Sequence, residues 1–143
     1  MFESWETQKR IEEAKRLTAR VVEHLQYLLD IHENNAIVLY SDVLSKQVAK
    51  SYAANAFNVF REALHQIELV RVCALWDAPV LERESIPTVI ELIDDEKVLD
   101  ALAEQAPAGH HEGFGRQQAE KARASLKAAI EAARDIRKSD GMK

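Results

Sequence analysis

Two arginine–histidine pairs are the residues of this sequence whose types and spacing could do chemistry. Arg61 precedes His65 by four positions, and Arg20 precedes His24 by the same spacing. Side chains with this spacing lie about 40° apart around a helix axis, so each pair shares one face. An arginine can hold a phosphate while an imidazole transfers a proton. Facing each other, and with Glu68 nearby, the pairs would form a polar seam with acid–base chemistry. Such pairs are also ordinary on exposed helix surfaces, and we favour that second interpretation.

Arg71 is a third candidate, because it projects into an otherwise apolar arc of the same helical stretch. A charged group in such a place either extends its head towards water or pairs with a carboxylate. Asp77 and Asp42 are the candidate partners, and Arg71–Asp77 is the expected buried ion pair. Arg71 could alternatively anchor a small molecule or nucleotide in a pocket between helices.

The sequence predicts no metal site and no cofactor. His110, His111 and Glu112 lie together in the segment GHHEGFG, but the helical His-Glu-x-x-His pattern of zinc enzymes is absent, and no glycine-rich phosphate loop follows a strand. Cys73 is the one cysteine, which excludes an internal disulfide. Its neighbours are apolar, so we expect a buried thiol.

Apolar residues spaced by three and four indicate an all-α fold, and no strand-like alternation interrupts them. The first helix is expected over residues 4–32, with Ser4 as its N-cap and the segment HENNA as its break. Residues 36–76 form one long helix or two pieces broken near Ser41 and Asp42. Short helices follow, capped by Ser85 and by Asp94-Asp95, and a last helix covers residues 115–138. Its seam is expected at Ala119, Ala122, Leu126, Ala129, Ala133 and Ile136.

The second stretch is so apolar that we expect neighbours to cover it on several sides, as in the central helix of a bundle. Its apolar positions are Tyr52, Ala56, Phe57, Val59, Phe60, Ala63, Leu64, Ile67 and Val70. The chain of 143 residues is expected to be one domain, residues 1–143.

Net charge argues against a general nucleic-acid-binding surface, since it is −5 at neutral pH. Acids are concentrated in residues 77–104 and bases in residues 116–138. The basic helix could lie near phosphate, but we favour a solvated face that complements the acidic segment. The sequence has no apolar run long enough to cross a bilayer and no signal-peptide pattern, so a cytoplasmic protein without membrane contact is expected.

The stretch from Asn58 to Asp95 resembles the AbiU-like branch of the HEPN superfamily, the abortive-infection proteins of bacteria. The matching features are a long helix ending in Trp76-Asp77, a polar connection, the Ser-Ile-Pro start at Ser85 and an apolar helix ending in acids. The resemblance implies a HEPN-like helical bundle with two long N-terminal helices, short middle helices and a long C-terminal helix. It also implies a homodimer in a defence or toxin–antitoxin system, with RNA, an antitoxin or another protein as partner.

Many members of that superfamily are metal-independent endoribonucleases, with an arginine followed after four to six residues by a histidine near the start of a late helix. Here both pairs have three intervening residues, and neither lies late in the chain. Either the chain stops before that element, or the domain binds without cutting. We therefore expect no RNase activity from these 143 residues. The alternative is a non-enzymatic interaction module that holds a partner through the alanine-lined last helix.

Overall fold

The fold is all-α, as expected. A computed structural model describes residues 2–48, 52–105 and 112–138. Within these ranges the chain forms the helices α1 (Thr7–Tyr40), α2 (Asp42–Gln47), α3 (Tyr52–Leu75), α4 (Ile86–Ile93), α5 (Glu96–Glu104) and α6 (Glu112–Lys138), and it has no strand. Two long helices, short middle helices and a long last helix therefore follow in the expected order. None of the described helices is long and apolar enough to cross a membrane.

The predicted break at HENNA is wrong, because α1 continues through it to Tyr40. Asparagines interrupt helices when their side chains compete for the backbone. Here the amide nitrogens of both side chains donate hydrogen bonds within the helical arrangement. Asn34 donates to the carbonyl of Asp30 one turn earlier, at 2.7 Å, and Asn35 is fully buried with hydrogen bonds to α3. The chain does break at Ser41, where the sequence suggested an interruption.

The chain divides into two compact units, Met1–Ala19 with Trp76–Lys143, and Arg20–Leu75. The first unit contains the start of α1 together with α4, α5 and α6. Its core includes Phe2, Ala14, Leu17 and Leu92, with Trp5 packed against it. The single domain over residues 1–143 stays a prediction.

Arg10 joins α1 to the junction of α4 and α5 in this first unit. Only 6% of this residue is exposed. Its Nε donates to the carbonyl of Leu92 at 2.9 Å, and Nη2 donates to that of Glu91 at 3.1 Å. These carbonyls belong to the last turn of α4, which has no helical partners for them. A third contact, 3.4 Å from Nη1 to Asp95, reaches the N-cap of α5.

Both predicted caps of the short helices are confirmed. Ser85 is the N-cap of α4 and accepts from the backbone N–H of Thr88, with proline in the first turn. Asp95 caps α5 and accepts from the N–H groups of Lys97 and Val98.

The seam of α6 lies largely where it was expected. Ala119, Ala122, Leu126 and Ala133 are half-buried and Ile130 beside them is buried, whereas Ala129 and Ile136 of the expected seam are exposed. Helix α6 packs against α5 and α4. The apolar side of α6 therefore packs inside the first unit.

The second unit is an antiparallel helical pair. Tyr27, His32 and Asn35 of α1 contact Arg71, Glu68 and Leu64 of α3, so the numbers rise on one helix as they fall on the other. Val21, Leu28 and Ile31 are buried on α1.

The expectation that α3 is covered on several sides is wrong for the single chain. Phe60 is 56% exposed and Val70 is 66% exposed, and Val59, Ile67 and Leu69 are exposed as well. Cys73 is also exposed, not buried as expected. The physical reason is that one neighbouring helix, α1, can cover only one side of an apolar helix.

Candidate functional site

A cationic cleft lies in the second unit between α1 and α3. It has a volume of about 260 Å³ and is lined by Arg20, Glu23, His24, Tyr27 and Arg71. The guanidinium of Arg71 stacks on the ring of Tyr27, with its carbon 4.3 Å from the ring centre. Arg20 pairs with Glu23 at 2.6 Å. An arginine stacked on an aromatic ring, with a second arginine in the same cleft, can contact a phosphate and a flat base.

An apolar groove adjoins this cleft at Arg71. It has a volume of about 490 Å³ and is lined by Ala63, Gln66, Ile67, Val70 and Arg71. The groove is the central part of an apolar stripe on α3 that we define as Val59, Phe60, Ala63, Ile67 and Val70. All five residues are exposed. A stripe of this length on one helix face is unusual for a surface that stays in water.

A polar cluster lies elsewhere on the same helical pair and consists of His32, Asn35 and Glu68. Asn35 is 0% exposed and donates from Nδ2 to Oε2 of Glu68 at 2.5 Å. The other carboxylate oxygen lies 2.7 Å from Nδ1 of His32. The Glu68 side chain is 15% exposed and the His32 side chain 59% exposed. The cluster thus runs from a buried amide through a largely buried carboxylate to an imidazole in contact with solvent.

The donated hydrogen bonds lower the pKa of Glu68, that from Asn35 most and that from His32 next. Desolvation acts in the opposite direction but does not prevail. The carboxylate is therefore ionised at neutral pH. Oδ1 of Asn35 is a buried acceptor with no hydrogen-bond partner among the described residues. Turning the amide over would place this oxygen against the carboxylate, which only accepts, so the present orientation is the favourable one.

The structure does not bring the two predicted arginine–histidine pairs together. Arg20 and His24 line the cationic cleft at the level of Arg71. His65 is exposed and acts electrostatically on Glu68, at the level of Asn35. The helices are antiparallel and Asn35 lies level with Leu64, so the Arg61–His65 pair lies level with about residue 36 of α1. That level is about 14 residues, or about 20 Å along the axis, from the Arg20–His24 pair. The predicted polar seam between them is therefore not formed.

The predicted buried ion pair between Arg71 and Asp77 stays a prediction. Arg71 stacks on Tyr27, whereas Asp77 pairs with Arg83 at 3.2 Å, and Arg71 and Asp77 belong to different units. The side chain of Asp42 lies outside the described residues. Arg71 does line both depressions of the second unit, as an anchor for a ligand would.

The basic face of α6 complements the acidic segment, as favoured from the sequence. Glu96 contacts both Arg123 and Lys127, the latter at 2.8 Å, and Arg134 contacts Asp94. A hydrogen bond from Lys127 lowers the pKa of Glu96. Three bases of α6 are thus paired with acids, whereas Arg71 of the cleft contacts the ring of Tyr27, so we regard the cleft as the stronger candidate for phosphate.

The described ranges hold no group of three or more histidine, cysteine, aspartate or glutamate residues that could bind a metal ion. His110 and His111 lie outside these ranges. The sequence reasoning also missed Tyr27, His32 and Asn35. One signal was available for Asn35, which continues the heptad of the buried residues Val21 and Leu28 and therefore faces the same interior side.

Comparison with known protein families gives a match over most of the chain. The family model HEPN_AbiU2, described as AbiU2, matches residues 11–139, which is most of the chain. No curated protein and no solved structure matches the chain.

Proposed function

Because the chain belongs to the AbiU2 family of HEPN proteins, we propose that it is a bacterial defence protein of the abortive-infection or toxin–antitoxin type. In this proposal it binds RNA as a homodimer in the cytoplasm and does not cleave it. The family match supports the defence role, and the cationic cleft supports RNA as the ligand. The observation on which RNA binding rests is the stacking of Arg71 on Tyr27 inside a cleft that also holds Arg20 and His24.

The chemistry of the cleft suits single-stranded RNA. Unpaired bases stack on aromatic side chains and on guanidinium planes, while arginines contact the phosphates. Most of the negative charge lies in the first unit, which has 14 bases and 18 acids, whereas the second unit, which holds the cleft, has 5 bases and 6 acids and is nearly neutral. Binding is therefore expected to be local and of moderate affinity.

Absence of cleavage follows from the spacing of arginine and histidine. No arginine of the sequence is followed by a histidine after four to six residues. On α3, Arg61 lies ten residues and His65 six residues before Arg71, which places them about 15 Å and about 9 Å along the axis from the arginine of the cleft. We therefore expect binding without RNase activity from this chain.

Fluorescence anisotropy with a short single-stranded RNA tests the proposal. Arg71→Met keeps the length of the side chain and removes its charge, so affinity should fall about tenfold and the slope of log K against log salt should shrink by about 0.7. Arg134→Met is the matched control, because Arg134 is already paired with Asp94. Equal losses in the two variants, or no binding by the unaltered chain, would contradict the proposal.

A cleavage assay on the same RNA, without divalent metal, tests the expectation that the chain does not cleave RNA. Intact RNA is expected. Cleavage that disappears in Arg61→Met or His65→Ala would place a catalytic site at that pair and overturn our assignment.

The apolar stripe on α3 supports homodimerisation. Among the described residues, twelve of the thirteen exposed large hydrophobic side chains lie between Val22 and Val70, in the second unit. A second copy would bring an identical stripe, and two apolar stripes can bury each other around a twofold axis. Arg71 lines the groove, and Arg20 and Glu23 line the cleft that adjoins it, so these charged residues would form a polar rim on one side of such an interface.

Light scattering over a concentration series tests this arrangement. Val70→Glu should convert the dimer to a monomer, since it would bury an unpaired charge in the contact. Leu69→Glu is the matched control, because Leu69 is exposed on the same helix but lies about 100° around the axis from Val70. A chain that is monomeric before substitution, or one in which both variants behave alike, would count against the stripe as the interface.

The exposed stripe also favours a second candidate function, a non-enzymatic interaction module that docks an antitoxin or another protein. The surface first expected for it, the last helix, packs against α5 and α4. A chain that binds its partner through the stripe and shows no affinity for RNA would support this candidate over the first.

A further inference from the structure

The polar cluster of His32, Asn35 and Glu68 is not used by the proposed RNA-binding function. The buried amide of Asn35 holds the carboxylate of Glu68 in place, and that carboxylate in turn holds the exposed imidazole of His32. Ordinary surface histidines lack such support. The cluster therefore holds the imidazole of His32 in one orientation, as is required of a histidine that reacts through one of its nitrogens.

The contact with Glu68 determines the tautomer of His32. An ionised carboxylate can only accept, so Nδ1 of His32 carries the hydrogen that lies in the 2.7 Å contact. In the neutral ring the lone pair is then on Nε2. The side chain is 59% exposed, so a dissolved group has access to this ring. By helical projection, Glu68 and the apolar stripe lie on different sides of α3, so a dimer formed through the stripe leaves His32 accessible.

We propose that His32 is a phosphoryl-acceptor site, at which Nε2 takes the phosphoryl group of a donor with an activated N–P bond. Histidine is among the side chains that form covalent intermediates, and a partner that orients the ring is the usual requirement. The lone pair of Nε2 attacks phosphorus, the N–P bond of the donor breaks, and its electron pair leaves with the donor nitrogen. With phosphoramidate, the leaving group is ammonia, because its nitrogen already carries three protons.

The proton on Nδ1 stays in place during this step, so the phosphorylated ring carries a positive charge. The ionised carboxylate of Glu68 lies directly against that N–H and stabilises the charge as it develops. Asn35 keeps the carboxylate in position through its own donated hydrogen bond. Glu68 and Asn35 are thus positioning residues, and His32 is the reacting one.

Incubation of the full chain with phosphoramidate at neutral pH tests the proposal, with tandem mass spectrometry to locate the added phosphate on each histidine. The sequence has five histidines, so the other four serve as internal references. His32 should react about tenfold faster than His65 or His24, because a charge-assisted hydrogen bond favours its transition state. This comparison needs no substitution and cannot be confused with a folding defect.

Glu68→Gln then separates orientation from simple exposure. The preference for His32 should disappear, and phosphorus NMR should show loss of the Nε2-phosphohistidine signal, while Glu62→Gln at an exposed position of the same helix should leave the rate at His32 unchanged. Urea unfolding of the intact chain should also reduce His32 to the rate of the other histidines. Equal rates at all histidines in the folded chain, or an unchanged preference in Glu68→Gln, would overturn the proposal.

Discussion

Replacing Arg10 by methionine should destabilise the first unit more than any other single loss of charge on α1. Methionine preserves most of the apolar stem but cannot donate. Two charge-assisted hydrogen bonds to the carbonyls of Glu91 and Leu92 are lost, and each is worth about 1.5–3 kcal/mol. The contact with Asp95 adds little, since that carboxylate is 40% exposed.

The gross loss of about 3–6 kcal/mol is reduced because the variant no longer buries a charge. The carbonyls at the end of α4 nevertheless stay unpaired in a site where Arg10 was only 6% exposed. We therefore expect the free energy of unfolding to fall by about 2–4 kcal/mol. With a typical slope of about 2 kcal/mol per molar urea, the midpoint shifts down by about 1–2 M.

Urea titration followed by tryptophan fluorescence measures this change, because Trp5 and Trp76 both lie in the first unit. Arg16→Met is the matched control on the same helix. Arg16 pairs with Glu13 on the surface at 2.6 Å, so its loss should leave the urea midpoint nearly unchanged. Equal midpoints for the two variants would refute the view that Arg10 completes the hydrogen bonding of α4.

Two further predictions concern pH and capping. Glu68 has a lowered pKa in the folded chain, so its contribution to stability is present above the unfolded value of about 4.3 and is lost as the pH falls through the folded value. The urea midpoint, followed by circular dichroism, should therefore drop more steeply below pH 5 in the unaltered chain than in Glu68→Gln, and parallel curves would contradict this. Ser85→Ala removes the fully buried cap of α4, and should lower the free energy of unfolding by about 1–2 kcal/mol, whereas Ser125→Ala on the exposed side of α6 should leave it nearly unchanged.

The fold class and the starts of the short helices were predictable because they depend on local chemistry. Spacing of apolar residues by three and four determines which segments are helical. The caps at Ser85 and Asp95 depend on side chains that reach the backbone two or three residues on. Resemblance over Asn58 to Asp95 identified the family, which the match over residues 11–139 confirms.

The interior path of α1 was not predictable in the same way. Two asparagines favour a turn when only their neighbours are considered. Asn35 stays helical because Glu68, thirty-three residues away, accepts from its amide in a buried place. Arg10 was missed for a similar reason, since its partners are carbonyls more than eighty residues distant.

The sequence by itself determined that the protein is helical, where the short helices are capped and to which family it belongs, because each of these follows from local patterns. Tertiary structure alone decided which polar groups meet. The antiparallel register of α1 and α3 separates the two arginine–histidine pairs and joins His32 to Glu68. Side-chain types show what a residue can do, but a contact also requires that two helices place both residues at the same level and on facing sides.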